Sequence, residues 1–502
     1  MEYFINRKAI FVCLLFLPVI CVYAYVGYSS YGFDDEFLNI WVIENFKPFE
    51  ILNLDPSINQ HHPNGSLFLN SILYNAFGDW SLIRAFMGII FALSLCFSFI
   101  ILSGNKENFH KAILFILLVL NPSLLMLGTS LRWYSIFLPL VNCLIILVYK
   151  NPKNSLVFWV LFLFLTFLLV NLNYLAFLLV PILFCFSTFQ RSKKLKSEIP
   201  YLISFVLVSL YFSVNHISEF IFKLSNYSVE QFDSILKSVL GFALYQTSGF
   251  ASIPFSYSGL LLISLSLILF ITFFINFKTI PKRFLYVYLG LSTILIFSGL
   301  AWKFRNFYFL HAMDAYIKAN IINSLPKKYG ILIITLFVFS YLVGGYNSIS
   351  HNNTMKGSWN LPYQKAVSEV NKIVREFDCK QTIIFNHNFG LSWHLNNNGY
   401  QTFNAYLPAE ATETMTTRIT AVGQDNWKQI SEKSVADCQI YLSTYIGSME
   451  KITKKSLDDY FLNNKKYVKK VVIKKDKYAD LKRILDKEIP DYYIELTLLR
   501  GK

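Results

Sequence analysis

Three acidic residues in a row, Asp34, Asp35 and Glu36, stand between Phe33 and Phe37. Like charges this close repel and raise one another's pKa, so the cluster calls for a cation or for a substrate hydroxyl that needs a base. The plainer alternative is an acidic turn that caps the following helix, since carboxylates favour helix N-termini. Farther on comes His61-His62-Pro63-Asn64-Gly65. Two histidines suit a metal or a phosphate, although adjacent histidines are not a recognised metal-ligand spacing, and Pro63 by itself would set an interfacial turn. A basic set completes the inventory: Arg132 within Ser130-Leu131-Arg132-Trp133-Tyr134, and Lys303 and Arg305 near Trp302 and Asn306. Guanidinium and ammonium groups suit phosphate, and charges at membrane depth are functional candidates, with snorkelling to headgroups as the alternative. A carboxylate can act as general base, and cations can stabilise a leaving phosphate.

The elements that hold these residues are apolar. Of 502 residues 54% are hydrophobic and 15% charged, with 48 Phe and 31 Tyr, whereas soluble domains average about 25% charged. This composition excludes an ordinary soluble enzyme, a disordered chain and a small disulfide scaffold. Eleven apolar runs approach the ~20 residues a bilayer-crossing helix needs: 9–27, 81–102, 112–128, 132–149, 155–172, 173–189, 199–218, 257–277, 284–301, 304–324 and 330–349. The expected fold is thus a polytopic α-helical membrane protein with about eleven transmembrane helices.

The net charge of +15 suggests nucleic acid until the charges are placed. Residues 1–350 hold 23 Lys and Arg, of which 15 fall in alternate breaks that include Arg7-Lys8, Lys106, Lys150, Arg191, Lys282-Arg283 and Lys327-Lys328. Cytoplasmic loops retain Lys and Arg, so the basic charge marks topology and argues against nucleic acid. It places the N-terminus in the cytoplasm of an integral cell-membrane protein, with a bacterial inner membrane expected, and residues 351–502 on the far side. Arg7-Lys8 ahead of an apolar stretch also fits a cleaved signal peptide, but the run is long for one.

On this topology residues 28–80 form a long first external loop, and long loops are usually functional or disordered. The loop carries the acidic cluster and the histidines. Residues 37–46 within it have the character of an amphipathic helix lying on the membrane surface. Arg132, Lys303 and Arg305 fall on the same side, which points to an anionic substrate.

Residues 351–502 are mixed and polar, and the pattern predicts a small extracytoplasmic α/β domain with a parallel sheet. Its expected elements are a helix at 362–377, strands at 382–386 and 439–443, a helix at 455–463 and a basic strand at 467–473. His387 and Asn388, after the first strand, lie where such sheets bind ligands, or form a plain turn closed by Gly390. Cys379 and Cys438 each precede a strand, and neighbouring parallel strands would bring them close enough for a disulfide in an oxidising compartment.

Five motifs in order, Asp35-Glu36, His62-Pro63, Gly78-Asp79-Trp80-Ser81 with Arg84, Arg132-Trp133-Tyr134 and Lys303-Phe304-Arg305-Asn306-Phe307, make residues 1–350 resemble the GT-C superfamily of membrane glycosyltransferases. The similarity is to the bacterial branch with lipopolysaccharide-core and dolichyl-phosphate-mannose-like mannosyltransferases. The chain departs at Asn64 and Phe304, where the family pattern has proline. The resemblance implies transfer of a sugar from a polyprenyl-phosphate donor to a glycolipid, polysaccharide or protein acceptor on the outer face. Asp35 would serve as base, with Asp34 and Glu36 as orienting groups or ligands of a divalent cation; the family differs on metal use, so the resemblance allows a divalent cation without implying one. Arg132, Lys303 and Arg305 would hold the donor phosphate, supported by His61, His62 and Tyr134. The competing reading is a transporter or flippase of lipid-linked saccharides, for which Asp314 and Lys318 inside a run are the available intramembrane charges.

Overall fold

The computed structural model describes residues 7–29, 34–54, 63–150, 154–191, 280–297, 304–350, 363–386, 389–404, 419–421, 436–445, 466–474 and 493–500, with isolated positions between 152 and 278. The fold divides into two compact units, one of Met1–Ser30 with Lys47–Met355 and one of Tyr31–Phe46 with Lys356–Lys502. This division in space does not follow the expected boundary at residue 350, because part of the first external loop groups with the C-terminal residues.

The first unit is helical: α1 (Arg7–Ser29), α3 (Pro48–Leu52), α4 (Gly65–Phe77), α5 (Trp80–Ser103), α6 (Asn108–Val119), α7 (Ser123–Gly128), α8 (Tyr134–Lys150), α9 (Ser155–Leu172), α10 (Ala176–Gln190), α11 (Lys282–Phe297), a 3₁₀ helix (Phe304–Leu310), α12 (His311–Ser324) and α13 (Lys327–Ser350). In hydrocarbon a backbone must satisfy its own hydrogen bonds, so apolar runs become helices. Among the described residues α5 and α9 are long and apolar enough to cross a bilayer by length and composition alone. The runs expected at 199–218 and 257–277 lie outside the described residues, apart from a few isolated positions.

Two expected runs are divided. The run 112–128 becomes α6 and α7. Pro122 has no N–H and its ring opposes the carbonyl four residues back. That carbonyl belongs to Leu118, and it accepts a hydrogen bond from Nε2 of His311 at 3.1 Å instead. The run 304–324 begins as a 3₁₀ helix and continues as α12. α1 packs along α5 through glycine. A Cβ on Gly27 would stand 2.5 Å from the Arg84 carbonyl oxygen, and one on Gly88 would stand 2.7 Å from that of Tyr23. Small residues let membrane helices approach backbone to backbone. Arg191 clasps the α9–α10 pair. It donates from Nη1 to the Pro152 carbonyl at 2.9 Å and from Nη2 to Ser155 Oγ at 2.8 Å, over the ring of Phe158.

The second unit contains α2 (Asp34–Asn45), α14 (Tyr363–Glu376), α15 (Phe389–Asn397) and the strands β1 (Thr382–Asn386), β2 (Gln401–Asn404), β3 (Ile419–Ala421), β4 (Cys438–Tyr445), β5 (Lys466–Lys474) and β6 (Tyr493–Arg500). The six strands form one sheet in the order β3-β2-β1-β4-β6-β5. β1 to β4 pair in parallel, but β6 runs antiparallel to both β4 and β5, so the sheet is mixed rather than parallel throughout. An antiparallel margin on a parallel sheet is common. The basic strand β5 forms one edge of the sheet and β3 the other. At the centre, Phe385 stacks between Phe403 and Tyr441, with ring centroids 5.4 and 4.8 Å apart. α14 buries Tyr363, Ala366, Val367, Val370 and Ile373, a helical stripe. The helix expected at 455–463 lies outside the described residues.

Candidate active site

Asp34, Asp35 and Glu36 are the first three residues of α2, where the positive end of the helix dipole favours carboxylates. Glu36 is completely buried, and Asn39 and the consecutive residues Ile40, Trp41, Val42 and Ile43 are each at most 5% exposed. Burial of four successive residues leaves the stretch 40–43 with no open face, while Glu44 beyond it is exposed. α2 does not lie as an amphipathic helix with one face on a membrane, as its sequence suggested. α2 packs against α15, so the acidic cluster is carried by the unit that contains the sheet. Backbone positions alone are described for Asp34 and Asp35. His61 and His62 lie outside the described residues, as do His387 and Asn388. Among the described residues no three His, Cys, Asp or Glu side chains gather as metal ligands would.

The basic candidates belong to the first unit. Arg132 is 2% exposed and occupies the connection between α7 and α8. Its backbone is held from several directions. Asn70 of α4 donates from Nδ2 to the Leu131 carbonyl at 2.7 Å. The Arg132 carbonyl accepts from Ser135 Oγ at 3.0 Å and from the Ser135 N–H at 3.3 Å. Trp133 packs against Phe137 and Phe309, with centroids 5.4 and 5.8 Å away, and Phe137 meets Phe309 at 5.0 Å. Phe309 belongs to the 3₁₀ helix that also carries the backbone of Arg305. The fold therefore joins the Arg132 segment to the Arg305 segment through one aromatic cluster, although 173 positions separate the two arginines. Tyr134 opens α8 and is buried. Lys303 lies outside the described residues.

Asn70 belongs to none of the motifs that mark the site in the sequence. The signal available was a single amide in the apolar stretch Leu67–Leu73, since a polar side chain at that depth needs a partner. Gly78-Asp79 has a structural account. Gly78 ends α4 in the left-handed region at φ 67°, and Asp79 caps α5 by accepting from Ser81 N–H at 2.6 Å and Leu82 N–H at 3.0 Å. Arg84, one turn later, is buried. The intramembrane charges Asp314 and Lys318 meet each other at 2.7 Å, and Tyr288 donates to Asp314 Oδ1 at 3.1 Å. The two charges thus compensate one another within α12.

Cys379 and Cys438 are disulfide-bonded, with Cα atoms 5.7 Å apart, inside the usual range. The β1–β4 register that pairs Thr382 with Cys438 brings them together. Beside them Asp437 accepts the backbone N–H groups of Lys380 and Gln381, each at 2.8 Å. Burial alone would raise the Asp437 carboxyl, but these donors hold it below its ordinary value, as hydrogen bonds to a carboxylate do. In the first unit an apolar cavity of about 210 Å³ opens between α9, α10 and residues 205, 206, 209 and 210, lined by Phe167, Val170, Phe177, Phe184 and Phe205 among others.

No protein-family model matches the chain, and no curated protein sequence does. Solved structures do. The crystal structure of ArnT from Cupriavidus metallidurans in the apo state aligns over 98% of both chains, with a TM-score of 0.55 and 9% identity. The structure of the same protein bound to undecaprenyl phosphate aligns over 97% of both, with a TM-score of 0.54 and 10% identity. The chain has, over nearly its whole length, the fold of this polytopic membrane protein.

Proposed function

We propose that the protein is a GT-C glycosyltransferase. It moves a sugar from a polyprenyl-phosphate donor to an acceptor hydroxyl on the outer face of the membrane. Asp35 takes the proton of the acceptor hydroxyl, whose oxygen forms a bond to the anomeric carbon with inversion. The bond from that carbon to the phosphate oxygen breaks, and polyprenyl phosphate leaves. Arg132, Lys303 and Arg305 stabilise the charge on that phosphate, and Asp34 and Glu36 orient the base. The acceptor is a glycolipid, polysaccharide or protein. The phosphate is positioned by Arg132, whose burial gives its charge more effect than it would have in water. The disulfide fits an outer, oxidising location, and the apolar cavity offers room for part of a lipid chain.

The observation that carries this reading is a buried arginine whose backbone segment is braced from three elements, in a fold of which one solved example binds undecaprenyl phosphate. The test is transfer from radiolabelled polyprenyl-phosphate sugar in proteoliposomes. Asp35→Asn is expected to abolish turnover while the protein still binds polyprenyl phosphate. Wild-type turnover in that variant refutes the role of Asp35, and sugar crossing the vesicle with no glycosidic bond formed favours a transporter.

A further inference from the structure

The C-terminal residues have no assigned role, yet they form one compact unit with residues 31–46. We propose that this α/β unit is the platform that positions the acidic helix α2, with Ser392 and Thr402 as the positioning residues. The inference rests on the reading of Asp35 given above for its kinetic consequence, but not for its mechanical one.

α2 is short, and Glu36, Asn39 and Ile40–Ile43 are all buried, so its place is set by what packs around it. Within its unit that partner is α15. α15 is itself tied to the sheet near both ends. Near its start, Ser392 donates from Oγ to Asn386 Oδ1 at 2.9 Å, at the end of the central strand β1. At its other end, Thr402 of β2 donates from Oγ1 to Asn396 Oδ1 at 3.0 Å. Ser392, Asn386 and Thr402 are completely buried, and Asn396 is 5% exposed. Buried side-chain pairs of this kind fix geometry because each partner lacks water as a substitute. The strands beneath are locked by the Cys379–Cys438 bond and by Asp437. A continuous set of contacts thus runs from the sheet through α15 to the helix that opens with Asp34, Asp35 and Glu36. Misplacing a reacting group by a small distance lowers the chemical step. Donor phosphate binding belongs to residues of the other unit, so it is not expected to change.

The experiment uses the full-length protein in nanodiscs. Backbone amide exchange over residues 34–45 is compared among wild type, Ser392→Ala, Thr402→Val and the conservative Thr402→Ser. Transfer kinetics are measured on the same samples. The platform predicts faster exchange in α2 for the first two variants, together with a fall in kcat of about 2- to 13-fold, as loss of one buried hydrogen bond gives. The KM for polyprenyl-phosphate sugar stays unchanged, and Thr402→Ser restores both readouts. Unchanged exchange in α2 overturns the proposal, and so does a parallel change in kcat and KM that Thr402→Ser does not rescue. Asp35→Asn is run alongside. If that variant keeps its turnover while α2 still loosens in Ser392→Ala, the platform stands and the assignment of the base falls.

Discussion

Asn70→Ala tests whether Arg132 is held where a phosphate needs it. The substitution deletes the donor that meets the Leu131 carbonyl at 2.7 Å, within a site where Asn70 and Leu131 are both completely buried. A hydrogen bond of this kind contributes about 0.5–1.5 kcal/mol net, which corresponds to roughly 2- to 13-fold in an equilibrium constant. Two outlets exist for that energy. The segment either keeps its place at a cost in stability, or it shifts and takes the guanidinium with it. Ser135 and the Trp133–Phe137–Phe309 cluster hold the C-terminal side of the segment, so the shift falls on residues 131 and 132. The expected result is a 2- to 13-fold weaker affinity for undecaprenyl phosphate, read by titration in nanodiscs, with thermal unfolding followed on the same samples. A double-mutant cycle makes the test sharper, because residues that act through one another are not additive. Arg132→Ala should cost less affinity in the Asn70→Ala background than in wild type. Wild-type affinity and wild-type unfolding temperature in Asn70→Ala would refute the bracing argument, and strict additivity with Arg132→Ala would refute the coupling.

Two further outcomes follow from the packing and from the electrostatics. Gly27→Ala puts a Cβ 2.5 Å from the Arg84 carbonyl oxygen and 2.8 Å from the Ala85 nitrogen; α1 and α5 must separate, and overpacking of this kind costs about 1–3 kcal/mol, to be seen as a lower unfolding temperature. Asp437 is held below the ordinary aspartate value of 3.8, so its stabilisation is complete above that value and is lost as pH falls through the lower folded-state value. Asp437→Asn should remove that acid-side dependence and lower stability at neutral pH, as read by proteolysis of residues 356–502 across a pH series.

Local patterning made much of the fold legible. The expected runs 81–102, 132–149, 155–172 and 330–349 correspond to α5, α8, α9 and α13 within a few residues, because a chain in hydrocarbon has few alternatives to helix. The strands at 382–386 and 439–443 are equally readable, with Cys379 ahead of the first and Cys438 opening the second, since short apolar runs bounded by polar turns reflect burial in a sheet. The strands β2, β3 and β6 were not recognised, and β6 is what makes the sheet mixed. Periodicity indicates that a segment is a strand, but not which neighbour it pairs with or in which direction.

The candidate site divides in the same way. The residue types able to take part in the chemistry are legible in the chain: a carboxylate cluster and basic residues at the ends of apolar runs, with two cysteines placed for a disulfide. What holds them comes from packing between distant segments. The acidic helix joins residues more than 300 positions later, Asn70 reaches the carbonyl beside Arg132, and Phe309 meets Trp133. Each of these contacts links segments far apart in the chain. The sequence around each partner carries no record of the other, because side-chain complementarity is set by shape and hydrogen-bonding need at the point of packing. A four-residue stretch such as Ile40–Ile43, buried on every face, has no periodic signature at all. Its surroundings exist only once the rest of the chain has folded around it.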